Sequence, residues 1–89
     1  MLLVSWSTTF KRSYKRIARQ GKKLSKLNQV ITKLANSEIL ESKYRDHKLI
    51  GDYVGLRECH IEPNWLLIYE ITEHELRLHD TGTHSDLFG

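Results

Sequence analysis

A single cysteine, Cys59, and a single proline, Pro63, stand among 89 residues. One thiol closes no internal disulfide, so order has to come from packing, and such cysteine usage suits a reducing compartment. Long apolar runs are missing too, and nothing approaches the ~20 consecutive apolar residues of a membrane helix. The opening Met1-Leu2-Leu3-Val4-Ser5-Trp6 lacks the length and basic lead-in of a secretion signal. A cytoplasmic protein with no membrane partner is expected. Repeats, low-complexity tracts and linkers are absent as well, so residues 1–89 read as one domain with a modest core.

The most telling absence is acid. Residues 1–37 carry nine basic side chains and no Asp or Glu, whereas residues 38–89 carry five basic and eleven acidic ones. The net charge of +3 conceals this division. The basic set is Lys11, Arg12, Lys15, Arg16, Arg19, Lys22, Lys23, Lys26 and Lys33. A surface so free of acid points to a polyanionic partner, nucleic acid above all, and an acidic protein fits it equally well.

Apolar spacing sets the elements. Leu2 to Trp6 reads as a short strand, and Ser7, Thr8 and Thr9 offer N-cap oxygens for a helix. Phe10, Tyr14, Ile17 and Ala18 recur at helical spacing, and Gly21 ends the pattern. Leu24, Leu27, Ile31 and Leu34 predict a second helix, the two forming a hairpin over a sheet. Residues 36–52 read as a polar connector. From about Val54 the period becomes two, predicting strands to Ile61, from Trp65 to Ile71 and from Glu75 to Thr81, then a tail ending in Phe88. Glu62-Pro63-Asn64 reads as a turn. The fold expected is α+β: an N-terminal strand, a helical hairpin, then a three-stranded antiparallel meander, all in one sheet.

Five histidines raise the question of a metal, but Cys59 and His60 are neighbours on a strand and point to opposite faces. His74, His79 and His84 recur every five residues, which suits neither a strand face nor a helical ligand pair, so no metal or other cofactor is expected. Histidine moves protons near neutral pH without either. The turn after His60, the rim at His47 and the tail at His84 are placed to converge at one sheet edge. Trp65, directly after a turn, and Phe88, in a polar tail, suit either core packing or the stacking of bases.

Three runs carry a resemblance: Asp46-His47-Lys48-Leu49, the stretch Arg57-Glu58-Cys59-His60-Ile61-Glu62-Pro63-Asn64-Trp65-Leu66-Leu67-Ile68-Tyr69, and Thr81-Gly82-Thr83-His84-Ser85-Asp86-Leu87-Phe88. In these the chain resembles the YafQ-type toxins of the RelE superfamily, ribosome-dependent mRNA interferases of bacterial type II toxin–antitoxin modules. The resemblance implies a RelE-like fold and metal-independent cleavage of mRNA in the ribosomal A site. The ribose 2′-OH attacks the adjacent phosphate, leaving a 2′,3′-cyclic phosphate and a 5′-hydroxyl. It makes His47, His60 and His84 the active-site histidines, with His84 the general acid and His47 or His60 the base or a phosphate contact. Trp65 and Phe88 match positions that shape the site and orient the nucleotide, and the basic helices would face ribosomal RNA. A cognate DinJ- or RelB-like antitoxin is implied, carrying the toxin to operator DNA indirectly.

Two residues depart from the family pattern: Asn64 stands where Asp is usual, and Asp80 where Arg is usual. An arginine supplies a cation to the phosphorane, so its replacement predicts a weakened site that Asp80→Arg would strengthen. Lys48 or Arg57 could substitute, though nothing in the sequence requires it, whereas Arg77 lies an odd number of residues from Asp80 and faces away unless a bulge intervenes. Two alternatives remain: a toxin fold that binds antitoxin without cutting, and a ParE-like gyrase inhibitor, against which the C-terminal histidine motif argues.

Overall fold

The computed structural model describes Met1–Gly89. The order is β1 (Leu3–Trp6), α1 (Thr8–Arg19), α2 (Leu24–Ala35), β2 (His47–Lys48), β3 (Arg57–Glu62), β4 (Trp65–Ile71), β5 (Glu75–Gly82) and α3 (His84–Phe88). α1 starts where expected because Ser7 Oγ accepts from the Phe10 backbone N–H at 2.9 Å. The same hydroxyl donates to the His79 carbonyl, pinning the helix start to β5. Phe10, Ser13 and Ile17 form the buried stripe of α1, and Ala18 lies outside it. In α2 the buried residues are Leu27, Val30, Leu34 and Ala35, with Ile31 turned partly outward.

The strands form one sheet in the order β1-β5-β4-β3-β2. β3, β4 and β5 are the expected antiparallel meander, and β1 joins its far side parallel to β5, Leu3 opposite Glu75. The sheet is larger than expected by β2, which pairs His47 with Glu58 and Lys48 with Arg57. β3 begins at Arg57 rather than Val54, because Gly51–Tyr53 is a 3-10 turn and Gly55 adopts φ 93°, which no strand tolerates.

Both helices cover one face. Phe10, Ile17, Leu27, Val30 and Leu34 pack with Cys59, Ile61, Trp65, Leu67, Tyr69, Leu76 and Leu78. Each large side chain so enclosed contributes about 1.5–3 kcal/mol relative to exposure. Leu66 and Ile68 are buried on the opposite face, so β4 is buried on both sides as its composition predicts. β5 carries one extra residue between the pairs Ile68–Asp80 and Tyr69–Leu78. This bulge changes the alternation from Leu76 and Leu78 to the buried Thr81.

Candidate active site

β3 and β4 decide which side chains can meet. Glu58 and His60 are two residues apart on one strand and share a face; Arg57 and Cys59 take the other. His47 lies across from Glu58 in β2, so it joins the Glu58 face, while Lys48 follows Arg57. The Glu58 side chain is 6% exposed, and His47 Nε2 and His60 Nε2 approach its Oε1 at 3.6 and 3.5 Å. One enclosed carboxylate therefore ties two imidazoles together. The rings' other nitrogens face carbonyls: His47 Nδ1 lies 2.8 Å from the Arg45 oxygen and His60 Nδ1 3.2 Å from the Pro63 oxygen. A carbonyl only accepts, so both Nδ1 atoms carry hydrogen and both Nε2 atoms are left for protons in transit.

The third imidazole comes from α3, where a tail was expected. Thr83 Oγ1 accepts from the Asp86 N–H and Asp86 accepts from the Thr83 N–H, a capping box that starts a five-residue helix at His84. Those bonds hold the Asp86 carboxyl below its ordinary range. Asn64 Oδ1 accepts from the His84 backbone N–H at 3.2 Å and faces His84 Nδ1 at 3.4 Å. The His60 and His84 rings lie 5.8 Å apart, and Phe88 continues the row 6.3 Å from His84. Tyr53 closes it, edge-on to Phe88 at 5.3 Å. His47, His60 and His84 thus share one surface, with Asn64 and Phe88 beside them.

Four of the expected substrate-binding residues lie elsewhere. Trp65 is 0% exposed in the core, its Nε1 donating to Thr81 Oγ1 at 3.0 Å, so it offers no face to a base. Arg57 lies on the helix-side face of β3, bound to Asp46 through Nη2 at 3.1 Å and Nε at 3.4 Å. Lys48 shares that side by register. Asp80 accepts from Ser13 Oγ on α1 and from the Thr81 N–H, so its charge is spent on holding β5 to α1 rather than facing a phosphate. Arg77 pairs with Glu75 and Glu70.

Asp46 also accepts from the Tyr69 hydroxyl, whose acidity burial and this carboxylate both suppress. The Asp46–Arg57–Tyr69 clamp fastens the connector immediately before His47 and so fixes where that ring can go. Of the basic set, Lys26 pairs with Glu62 at 2.8 Å and Arg16 with Asp86 at 3.7 Å, while Lys22 Nζ sits 5.7 Å above the Trp65 ring. Lys11, Arg12, Lys15, Arg19 and Lys23 are exposed and form no ion pair.

Residues 2–89 match the family described as "Bacterial toxin of type II toxin-antitoxin system, YafQ". The chain belongs to the YafQ toxin family. It is 38% identical over 87 residues to the mRNA interferase toxin YafQ of Escherichia coli K12, covering 97% of this chain and 95% of that one. The toxin in the E. coli DinJ–YafQ toxin–antitoxin complex superposes with a TM-score of 0.92 at 37% identity, over 99% of this chain and 98% of that one. A metal-bound toxin from Helicobacter pylori gives 0.93 at 39% identity, over 99% and 100%. In this YafQ-family chain no group of three or more His, Cys, Asp or Glu side chains is arranged to hold a metal ion. The imidazoles are instead directed at a carboxylate and at carbonyls.

Proposed function

We propose that this chain is a cytoplasmic toxin that cleaves mRNA on the ribosome, through attack of a ribose 2′-OH on the adjacent phosphate. The observation that carries the reading is the row His47–Glu58–His60–His84, with 5.8 Å between the last two rings. In-line displacement puts nucleophile and leaving group on opposite sides of phosphorus, so base and acid must flank the phosphate. His60 occupies the middle of the row. His47, half-exposed at 51%, takes the 2′-OH proton at Nε2, and His84 delivers a proton from Nε2 to the departing 5′ oxygen. The 2′ oxygen–phosphorus bond forms as the 5′ oxygen–phosphorus bond breaks. His60, its Nδ1 facing the Pro63 carbonyl and its Nε2 beside Glu58, is held between base and acid as the group that positions the phosphate.

The exposed cations of α1 and the α1–α2 turn suit ribosomal RNA, an attraction that weakens with salt. The DinJ–YafQ complex supports an antitoxin partner of the same kind, which would carry the toxin to operator DNA. A second reading, antitoxin binding without cleavage, draws on one observation: Arg57 is committed to Asp46 and position 80 is an aspartate, so neither position brings a guanidinium to the imidazoles. Primer extension on translated mRNA separates the two. New 5′ ends with the wild-type chain, absent with His84→Ala and undiminished by a transition-metal chelator that leaves the ribosome's magnesium in place, support cleavage without a transition metal. No new ends with intact antitoxin binding would establish the second reading.

A further inference from the structure

Beside His60 the surface opens into a cleft of about 410 Å³, between α2, the 3-10 turn at Ser42–Tyr44 and the end of β3. Its walls include Lys26, Gln29, Lys43, Arg45, His60 and Pro63. Glu62 is the one acid there, and Lys26 holds it at 2.8 Å, so Lys43 and Arg45 remain as uncompensated positive charge. Two other depressions lack this combination. One has Lys48 and Arg57 among mainly apolar residues, and the other, along α2, has a single cation, Lys33; neither touches an imidazole.

Arg45 links cleft and centre. It is held at φ 50°, a left-handed conformation uncommon for a side chain of this size. In that conformation its carbonyl oxygen lies 2.8 Å from His47 Nδ1 while the residue also lines the cleft. The cleft wall thus includes His60 and Arg45, whose carbonyl holds His47, and includes neither His84 nor Phe88.

We propose that this cleft is a nucleotide subsite, taking the ribonucleotide immediately 5′ of the one whose 2′-OH attacks. The assignment rests on the reaction proposed above: the nucleotide bearing the 2′-OH is at His47 and the departing one at His84, so the strand enters from the cleft. Lys43 and Arg45 then meet its phosphate, and the Gln29 amide, able to donate and accept, faces the base edge.

The test uses the whole 15N-labelled chain and a single-stranded RNA heptanucleotide with 2′-deoxyribose at its central position, which blocks attack at that nucleotide. Gln29, Lys43 and Arg45 amide signals are expected to shift. A nitroxide on the 5′ end should broaden them, and one on the 3′ end should broaden Tyr53 and Phe88 instead. Lys43→Glu with Arg45→Asn, which tolerates the left-handed backbone, should weaken binding about tenfold and reduce the slope of log affinity against log salt by about 0.7. In cleavage, Lys43→Glu alone should raise KM about tenfold with kcat unchanged, the signature of a contact equal in ground and transition states. The reverse broadening pattern, shifts confined to α1, or a double variant that binds as tightly as wild type would overturn the subsite. If the spin-label pattern is as expected but the wild-type chain cuts no RNA, the subsite stands and the reaction assignment falls.

Discussion

Asn64 holds His84 at two points: its Oδ1 accepts the backbone N–H of His84 and lies 3.4 Å from Nδ1 of the same ring. A backbone N–H only donates, so the amide oxygen is the atom that faces the ring, and Nδ1 must carry hydrogen. The tautomer is thereby set, and Nε2 is the nitrogen free to exchange a proton with substrate.

An amide fixes orientation without adding charge, whereas a carboxylate does both. Asn64→Asp is expected to stabilise the imidazolium of His84 and keep the general acid protonated to higher pH. The alkaline limb of kcat against pH should move to higher pH. An unmoved limb would assign the acid role to another group.

Glu58 is expected to matter as a positioning residue. Glu58→Gln leaves His47 and His60 without their shared carboxylate, and kcat should fall on the order of a hundredfold with KM little changed. Activity that falls only in proportion to unfolding would leave Glu58 a merely structural role.

Phe88 and Tyr53, 39% and 40% exposed, form the aromatic end of the row. Phe88→Ala removes the surface proposed to stack on the departing nucleotide, about 1–3 kcal/mol by analogy with other base–aromatic contacts. A rise in KM of roughly tenfold for Phe88→Ala is expected, and a smaller one for Tyr53→Ala. Equal KM for both variants and wild type would place the 3′ nucleotide elsewhere.

Cys59 is fully buried in the helix-side core, and burial pushes its thiol far above the ordinary range. Thiol reagents at pH 8 should leave the folded chain unlabelled and label it fully in denaturant. Rapid labelling of the native protein would show that β3 opens readily.

Asp86 is held below its ordinary pKa, first by the Thr83 backbone N–H. A depressed carboxyl contributes stability that is present above the unfolded value of about 4 and is lost as pH falls through the folded value. α3 should therefore fray below about pH 4 before the sheet does, seen as early loss of the His84 and Phe88 amide signals. Thr83→Ala should bring the same fraying near neutrality, at a cost of about 1 kcal/mol. Simultaneous loss of α3 and sheet signals would mean the cap carries no separate stability.

The sheet and both long helices were legible because their apolar residues keep a period: Phe10 and Ile17, Leu27 and Leu34, and the unbroken apolar start of β4. The signal for α3 was present in Thr83-His84-Ser85-Asp86, a capping box, but five residues hold too few apolar positions to show a helical period. Glu58 was readable as well, since it stands two residues before His60 on a strand. The same alternation puts Arg57 on the far side. The place of Asp80 was not readable, because it depends on the extra residue in β5 and on Ser13, which is far away in sequence. Trp65 was ambiguous for a related reason: the register slips between His60 and Glu62, and only the paired strands show which face Trp65 takes.

β1 lies parallel to β5, joining the first segment of the chain to nearly the last. While the chain is being made, that seam stays open until Glu75–Gly82 emerges, and His84 emerges later still. A premature stop before β5 therefore yields a fragment that lacks both the final strand and His84, and the row of imidazoles proposed to cleave RNA is not assembled in it.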